Sequence, residues 1–97
     1  MKNKSPAFQF YAAEFLADKN VICMTTEEVG AYWLLVSICW RESQLPDDLE
    51  ELSSLVRMNS EKFQTSWDKR IKRCFQKNED GFWVHPRLEE ERKKQQE

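Results

Sequence analysis

Two glycines and three prolines in 97 residues are too few for a collagen-like or low-complexity chain. They leave room for helices. A single histidine and three cysteines (Cys23, Cys39, Cys74) with no CxxC spacing argue against a structural metal centre. Each cysteine sits among apolar neighbours, where a free thiol behaves as a small buried hydrophobe, so a reduced, cytoplasmic compartment is expected. No apolar run approaches the ~20 residues that a membrane span requires. The strongest, Val29–Trp40, would be roughly 18 Å long as a helix at ~1.5 Å per residue, so no membrane association is expected. "MKNKSPAFQFYAAEF" begins with bases but has no unbroken apolar core before a small-residue cleavage site, so it does not read as a signal peptide.

Catalytic signatures are also lacking. No glycine-rich phosphate loop is present, and no nucleophile pattern surrounds His85. The carboxylate pairs Glu27–Glu28, Asp47–Asp48 and Glu50–Glu51 fall at helix starts, where they complement the macrodipole. Neither an enzyme nor a bound cofactor is expected.

What is present is a globular composition, 40% hydrophobic and 33% charged, on a chain long enough for one domain. An extended lead-in precedes a one- or two-turn helix that ends near Lys19 or Asn20. Thr25 and Glu28 then form a capping box, in which hydroxyl and carboxylate satisfy each other's orphan amides. The helix that follows spans about Thr26–Arg41. It is apolar nearly all round except for a strip at Gly30, Ser37 and Arg41, which marks a helix buried on most sides.

Pro46 ends that element, and Asp47 or Asp48 caps a shorter helix to about Val56, with Leu49, Leu52 and Leu55–Val56 inward. Asn59 caps the next helix, roughly Ser60–Arg73, whose apolar face is Phe63, Trp67, Ile71 and Cys74. Asn78–Gly81 is a turn signal ahead of the strand formers Phe82–His85, giving a β-hairpin that Pro86 stops. The expected fold is mainly α with a small hairpin, a winged helix-turn-helix-like single domain over residues 1–87. Residues 88–97 read as a charged helix or tail that can begin a linker.

Net charge is only −2, but it is unevenly spread. Residues 42–56 hold five acids and no base, whereas residues 57–77 hold seven bases and two acids. In a winged helix the third helix enters the DNA major groove, where cations meet phosphates and short polar side chains reach base edges. Arg57, Lys62, Lys69, Lys72, Arg73 and Lys77 are therefore the candidate phosphate contacts, and Thr65, Ser66 and Gln64 the candidate base readers. Trp33, Trp40 and Trp67 lie on apolar helix faces and are assigned to the core. Trp83 alternates with Phe82 on the hairpin and is the one tryptophan expected as a contact residue. The implied partner is double-stranded DNA.

A protein-interaction module without DNA binding is the alternative, an inhibitor or adaptor that binds a host protein complex. The balanced net charge and the acidic 42–56 block favour it. A homodimer is compatible with both readings.

Phe10–Tyr11, Glu14–Leu16, Met24–Leu35 ("MTTEEVGAYWLL"), Leu45–Asp48 ("LPDD") and Gly81–Arg92 match a series of family motifs from about Ser5 to Arg92. On these pieces the chain resembles the YdaU-like prophage proteins. That resemblance implies a winged-helix-like N-terminal domain linked to replication initiation or replisome organisation, with a second domain in longer members. The matched residues are caps, turns and core, so no catalytic or ligand position carries over. "YAAEF" departs from the family in lacking a proline–glycine or glycine–aspartate after the tyrosine. The chain stops where longer members begin a linker, which leaves open a short paralogue or an excised domain.

If Val29–Trp40 is the central helix of the core, Leu35→Asp will unfold the domain. A buried unpaired charge costs several kcal/mol against a total stability of about 5–15 kcal/mol. An unchanged melting temperature would place that helix elsewhere.

Overall fold

In the computed structural model, which describes residues 9–96, the chain forms six α-helices and one two-stranded hairpin. The lead-in before Gln9 lies outside the described residues. Helix α1 (Ala12–Ala17) ends sooner than expected, because Asp18 takes an extended conformation and its carboxylate accepts the Asn20 amide. That cap starts a separate turn, α2 (Lys19–Ile22), which carries the chain past the expected helix end at Lys19 or Asn20.

The capping box at Thr25 and Glu28 is formed in both directions, at 2.9 and 3.1 Å. Helix α3 (Thr26–Glu42) runs from it and buries Ala31, Tyr32, Leu35, Val36, Cys39 and Trp40. Gly30, Ser37 and Arg41 form its exposed strip, as their spacing predicted. Ser43 closes the helix with a left-handed backbone, φ 79°.

Asp48 caps α4 (Leu49–Leu55) through the Glu50 and Glu51 amides, and Asn59 caps α5 (Ser60–Ser66) through those of Glu61 and Lys62. The connection between them is four residues long, with Arg57 at φ 64°. A left-handed non-glycine residue is uncommon, and it lets the chain reverse tightly enough to pack α5 against α4.

The expected single helix Ser60–Arg73 is not regular. Beyond Ser66 it widens into a π-turn (Trp67–Ile71) and then tightens into a 3₁₀ turn (Lys72–Cys74). The buried side chains explain this. Phe63, Trp67, Ile71 and Phe75 recur every fourth residue, and each such step overshoots an α-turn by about 40°. A turn with i→i+5 bonding holds more residues and brings the four back onto one face. Phe75 therefore takes the core position expected of Cys74, which is only half-buried.

The hairpin pairs β1 (Gln76–Lys77) with β2 (Trp83–Val84), Gln76 opposite Val84 and Lys77 opposite Trp83. Its turn is locked by the Asn78 carboxamide oxygen, which accepts the Asp80 and Phe82 amides, and by Gly81 at φ +87°. Leu45 exchanges both backbone hydrogen bonds with Trp83, at 2.8 and 3.0 Å, so the segment before α4 forms a third rung beside β2. Pro86 opens α6 (Pro86–Gln96), which seats Leu88 in the core and lays the Arg92 guanidinium 4.5 Å from the Trp40 ring centroid. No helix of the described residues is long and apolar enough to cross a membrane.

One long-range ion pair ties α3 to the π-turn. Arg70 grips the buried Glu28 carboxylate with two bonds, 2.6 and 2.8 Å. Together with the Thr25 amide and the nearby Ser66 hydroxyl, these bonds hold the carboxyl down to about pKa 2 against the opposing effect of burial. The carboxylate is more stable in the fold than in the unfolded chain. Its contribution is present above pH ~4.5 and disappears as pH falls towards 2. Replacing Arg70 with Met strands this charge, and the expected loss is at the lower end of roughly 3–5 kcal/mol, since Arg70 is itself 29% exposed. Chemical denaturation will show that loss at pH 7. The acid-induced destabilisation between pH 4.5 and 2 will be correspondingly shallower in Glu28→Gln than in the parent.

Candidate functional site

The ten candidate contact residues do not form one surface. Arg57 is exposed on the tight turn before α5. Lys62, Thr65, Lys69, Lys72 and Arg73 are exposed along α5 and its continuation, together with Gln64, Glu61 and Asp68. Ser66 is not on that face. It is 7% exposed and turned inward to Glu28, because it lies one residue before Trp67 on the packed side. As a base reader it is excluded by burial.

Two of the cations are already neutralised. Lys62 pairs with Glu27 at the start of α3, 2.8 Å away. Lys77 pairs with Asp47 at 2.6 Å, and its ammonium lies 5.3 Å from the Trp83 ring centroid. The same Asp47 carboxylate accepts the Trp83 indole N–H at 3.1 Å, and the two bonds, the lysine's first, lower its pKa. Trp83 also meets Trp67 edge-on, centroids 5.2 Å apart. It is half-buried and clamps the hairpin to the α4 lead-in, so the outward aromatic of the hairpin is Phe82.

Lys69, Lys72 and Arg73 remain. They follow one another at i, i+3 and i+4, are exposed, and have no carboxylate partner among the described residues. The π-turn keeps Trp67 and Ile71 inward and so leaves these three on the solvent side. Arg57 lies at the opposite end of the helical segment, roughly 20 Å away at ~1.5 Å per residue.

A second feature was not legible in the charge pattern. The residues before α1 meet α1, α3 and α6 around a cleft of about 530 Å³. Aromatic rings pack along it: Phe10 and Trp33 have centroids 5.1 Å apart, Phe15 and Trp33 5.5 Å, and Phe15 stacks on Tyr32 at 6.4 Å. His85 lies at its buried end, 7% exposed. The Tyr32 hydroxyl is 2.8 Å from His85 Nε2, while His85 Nδ1 has no hydrogen-bond partner. Burial, with the nearby Arg87 charge, pushes the imidazole down to about pKa 4, and burial pushes the Tyr32 hydroxyl up. Both are neutral at pH 7. Asp18, Glu14, Glu90, Glu91, Arg87 and Lys94 bring ionised groups to the lining. The sequence signal for this cleft was the aromatic run Phe10, Tyr11, Phe15 facing Tyr32–Trp33, but nothing local places it beside His85.

Among the described residues no group of three or more His, Cys, Asp or Glu side chains is placed to hold a metal ion. The molecule is thus a mainly helical domain with a small antiparallel hairpin. The chain belongs to the family described as a protein of unknown function (DUF1376), whose model matches residues 6–92. Neither the curated proteins nor the solved structures include a significant match.

The single histidine makes the cleft's protonation state directly measurable. Because its folded pKa lies below the unfolded value, His85 does not oppose folding above pH ~6.5, and its protonation in the unfolded chain removes stability as pH falls from there towards 4. The imidazole Hε1 proton resonance will hold its neutral position to about pH 5 and move with a midpoint near 4. A midpoint near 6.5 would show an imidazole open to solvent.

Proposed function

We propose that the domain binds double-stranded DNA through the end of the α5 segment, with Lys69, Lys72 and Arg73 meeting the phosphate backbone. The observation that carries this reading is that these three cations stand together, exposed and unpaired, on the helix that follows a tight turn. Thr65 and Gln64 lie on the same exposed arc within reach of a groove. The order of elements supports a winged-helix relationship, and so does the Leu45 rung that joins the hairpin to the segment before α4. A setting in phage or prophage replication or its regulation, in the cytoplasm, rests on the resemblance to the YdaU-like proteins.

The binding is weak. Lys62 and Lys77 are spent on internal ion pairs, and Asp68 stands beside Lys69. The alternative, a protein-interaction module, draws support from a different surface. Among the described residues, four of the five exposed large apolar side chains, Phe10, Tyr11, Leu16 and Ile22, fall before α3, with Leu16 71% and Ile22 64% exposed. Such a concentration suits a protein partner or a second copy better than a duplex.

Three phosphate contacts give a slope of log affinity against log salt of about −2.7, at ~0.9 per contact. A duplex titration at several salt concentrations will show that slope for the parent. It will be lost together with binding in the Lys69→Glu, Arg73→Glu double variant, whereas Lys62→Ala will change it by less than about one unit. No affinity at low salt, or affinity indifferent to the double variant, would eliminate this reading.

A further inference from the structure

We infer that Glu27 holds Lys62 off the duplex, so that the domain keeps a fourth phosphate contact in reserve. The inference rests on the duplex-binding reading and adds to it a residue on another helix that sets the strength of binding. Lys62 lies on the same helical segment as the free cations, seven residues before Lys69 and eleven before Arg73, and all three are exposed. Seven residues are about two turns, or roughly 10 Å at ~1.5 Å per residue. A duplex carries a phosphate charge every ~1.7 Å of its axis, so a backbone that passes Lys69 and Arg73 also comes within reach of Lys62.

Glu27 comes from a different element. It stands in the first turn of α3 beside Glu28, and the two carboxylates have opposite fates. Glu28 is 3% exposed and completes both the capping box and the Arg70 pair. Glu27 is exposed and takes no part in the cap. Among the described residues its partner is Lys62, 2.8 Å away, with the lysine side chain 62% and the glutamate side chain 51% exposed. Its oxygens offer the ammonium the same charge that a phosphate would. While the pair is closed, Lys62 neutralises no phosphate and releases no counterion from the duplex. Exposed pairs of this kind add little to stability, so the contact shields the lysine rather than bracing the fold.

The Asp47–Lys77 pair does not carry the same inference, because Asp47 also accepts the Trp83 indole N–H and anchors the hairpin. Glu61 and Asp68 are exposed on the cationic segment itself and form no ion pair among the described residues. They weaken the field around the cluster without holding a particular lysine.

The test is a double-variant cycle in duplex titrations of the full chain at several salt concentrations, with the melting temperature of each variant measured alongside. Glu27→Gln removes the charge and keeps the length of the side chain. It will steepen the slope of log affinity against log salt from about −2.7 to about −3.6, and will tighten binding about eightfold at ~0.1 M salt, the share of one contact at ~0.9 per phosphate. Lys62→Ala will change the slope by less than about half a unit in the parent and by about 0.9 in the Glu27→Gln background. That dependence of one residue's effect on the other is the signature of shielding. Asp68→Asn will raise affinity by the same factor with Lys62 or with Ala at that position. The melting temperatures of Glu27→Gln and Lys62→Ala will stay within about 4 °C of the parent. An unchanged slope in Glu27→Gln, or equal effects of Lys62→Ala in both backgrounds, overturns the shielding and leaves the duplex reading in place. Absence of binding by both the parent and Glu27→Gln overturns the duplex reading and the shielding with it.

Discussion

Three donors converge on the Glu28 carboxylate, the Thr25 amide and two guanidinium N–H groups of Arg70, with the Ser66 hydroxyl nearby. The position does two jobs at once. Through Thr25 it completes the start of the helix that gives the core its largest share of side chains, and through Arg70 it fixes the rotation of the α5 segment against that helix. A buried carboxylate with three donors tolerates little movement, because each donor withdrawn leaves charge facing a dry interior. The inward placement of Ser66 and Arg70, and with it the outward placement of Lys69, Lys72 and Arg73, follows from this one pair.

The widened helix after Ser66 is the backbone's answer to the same constraint. An unbroken α-helix would rotate Phe75 off the face defined by Phe63 and Trp67, and would swing Arg70 away from Glu28. The π-turn accommodates four-residue spacing, so the aromatic face continues from Phe63 through Trp67 to Phe75 and on to His85. That chain of rings joins the α5 segment to the floor of the cleft through packed side chains.

Surface charge is arranged differently from its distribution along the chain. The acidic stretch and the basic stretch look like two fields, but at two points they cancel side chain by side chain, at Glu27–Lys62 and at Asp47–Lys77. Both pairs are exposed and contribute little to stability. With Arg70 held by Glu28 and Arg57 at the far end of the segment, they reduce a seven-base segment to a three-cation cluster, which is why the proposed duplex contact is a weak one. Asp47 also holds the Trp83 indole, so an aromatic that a strand alternation offers to solvent is turned into a hairpin anchor.

Features that depend on a few neighbouring residues were legible in the sequence. The Thr25–Glu28 capping box, the Asn59 cap, the exposed Gly30–Ser37–Arg41 strip and the Asn78–Gly81 turn all follow from side chains acting within four residues of one another. Helix periodicity likewise identified Leu35, Trp40 and Trp67 as core. The break at Asp18 has a local cause too, an aspartate capping the amide two residues on, but it competes with a continuous helix and only packing settles the contest. The remainder belongs to tertiary structure. Glu28 and Arg70 are 42 positions apart, Asp47 and Trp83 are 36, and Tyr32 and His85 are 53. Such pairs leave no periodic trace in the chain, since burial and reach are properties of the folded surface. Local chemistry wrote the helices, caps and turn; the fold decided which charges remained free and that an aromatic cleft exists.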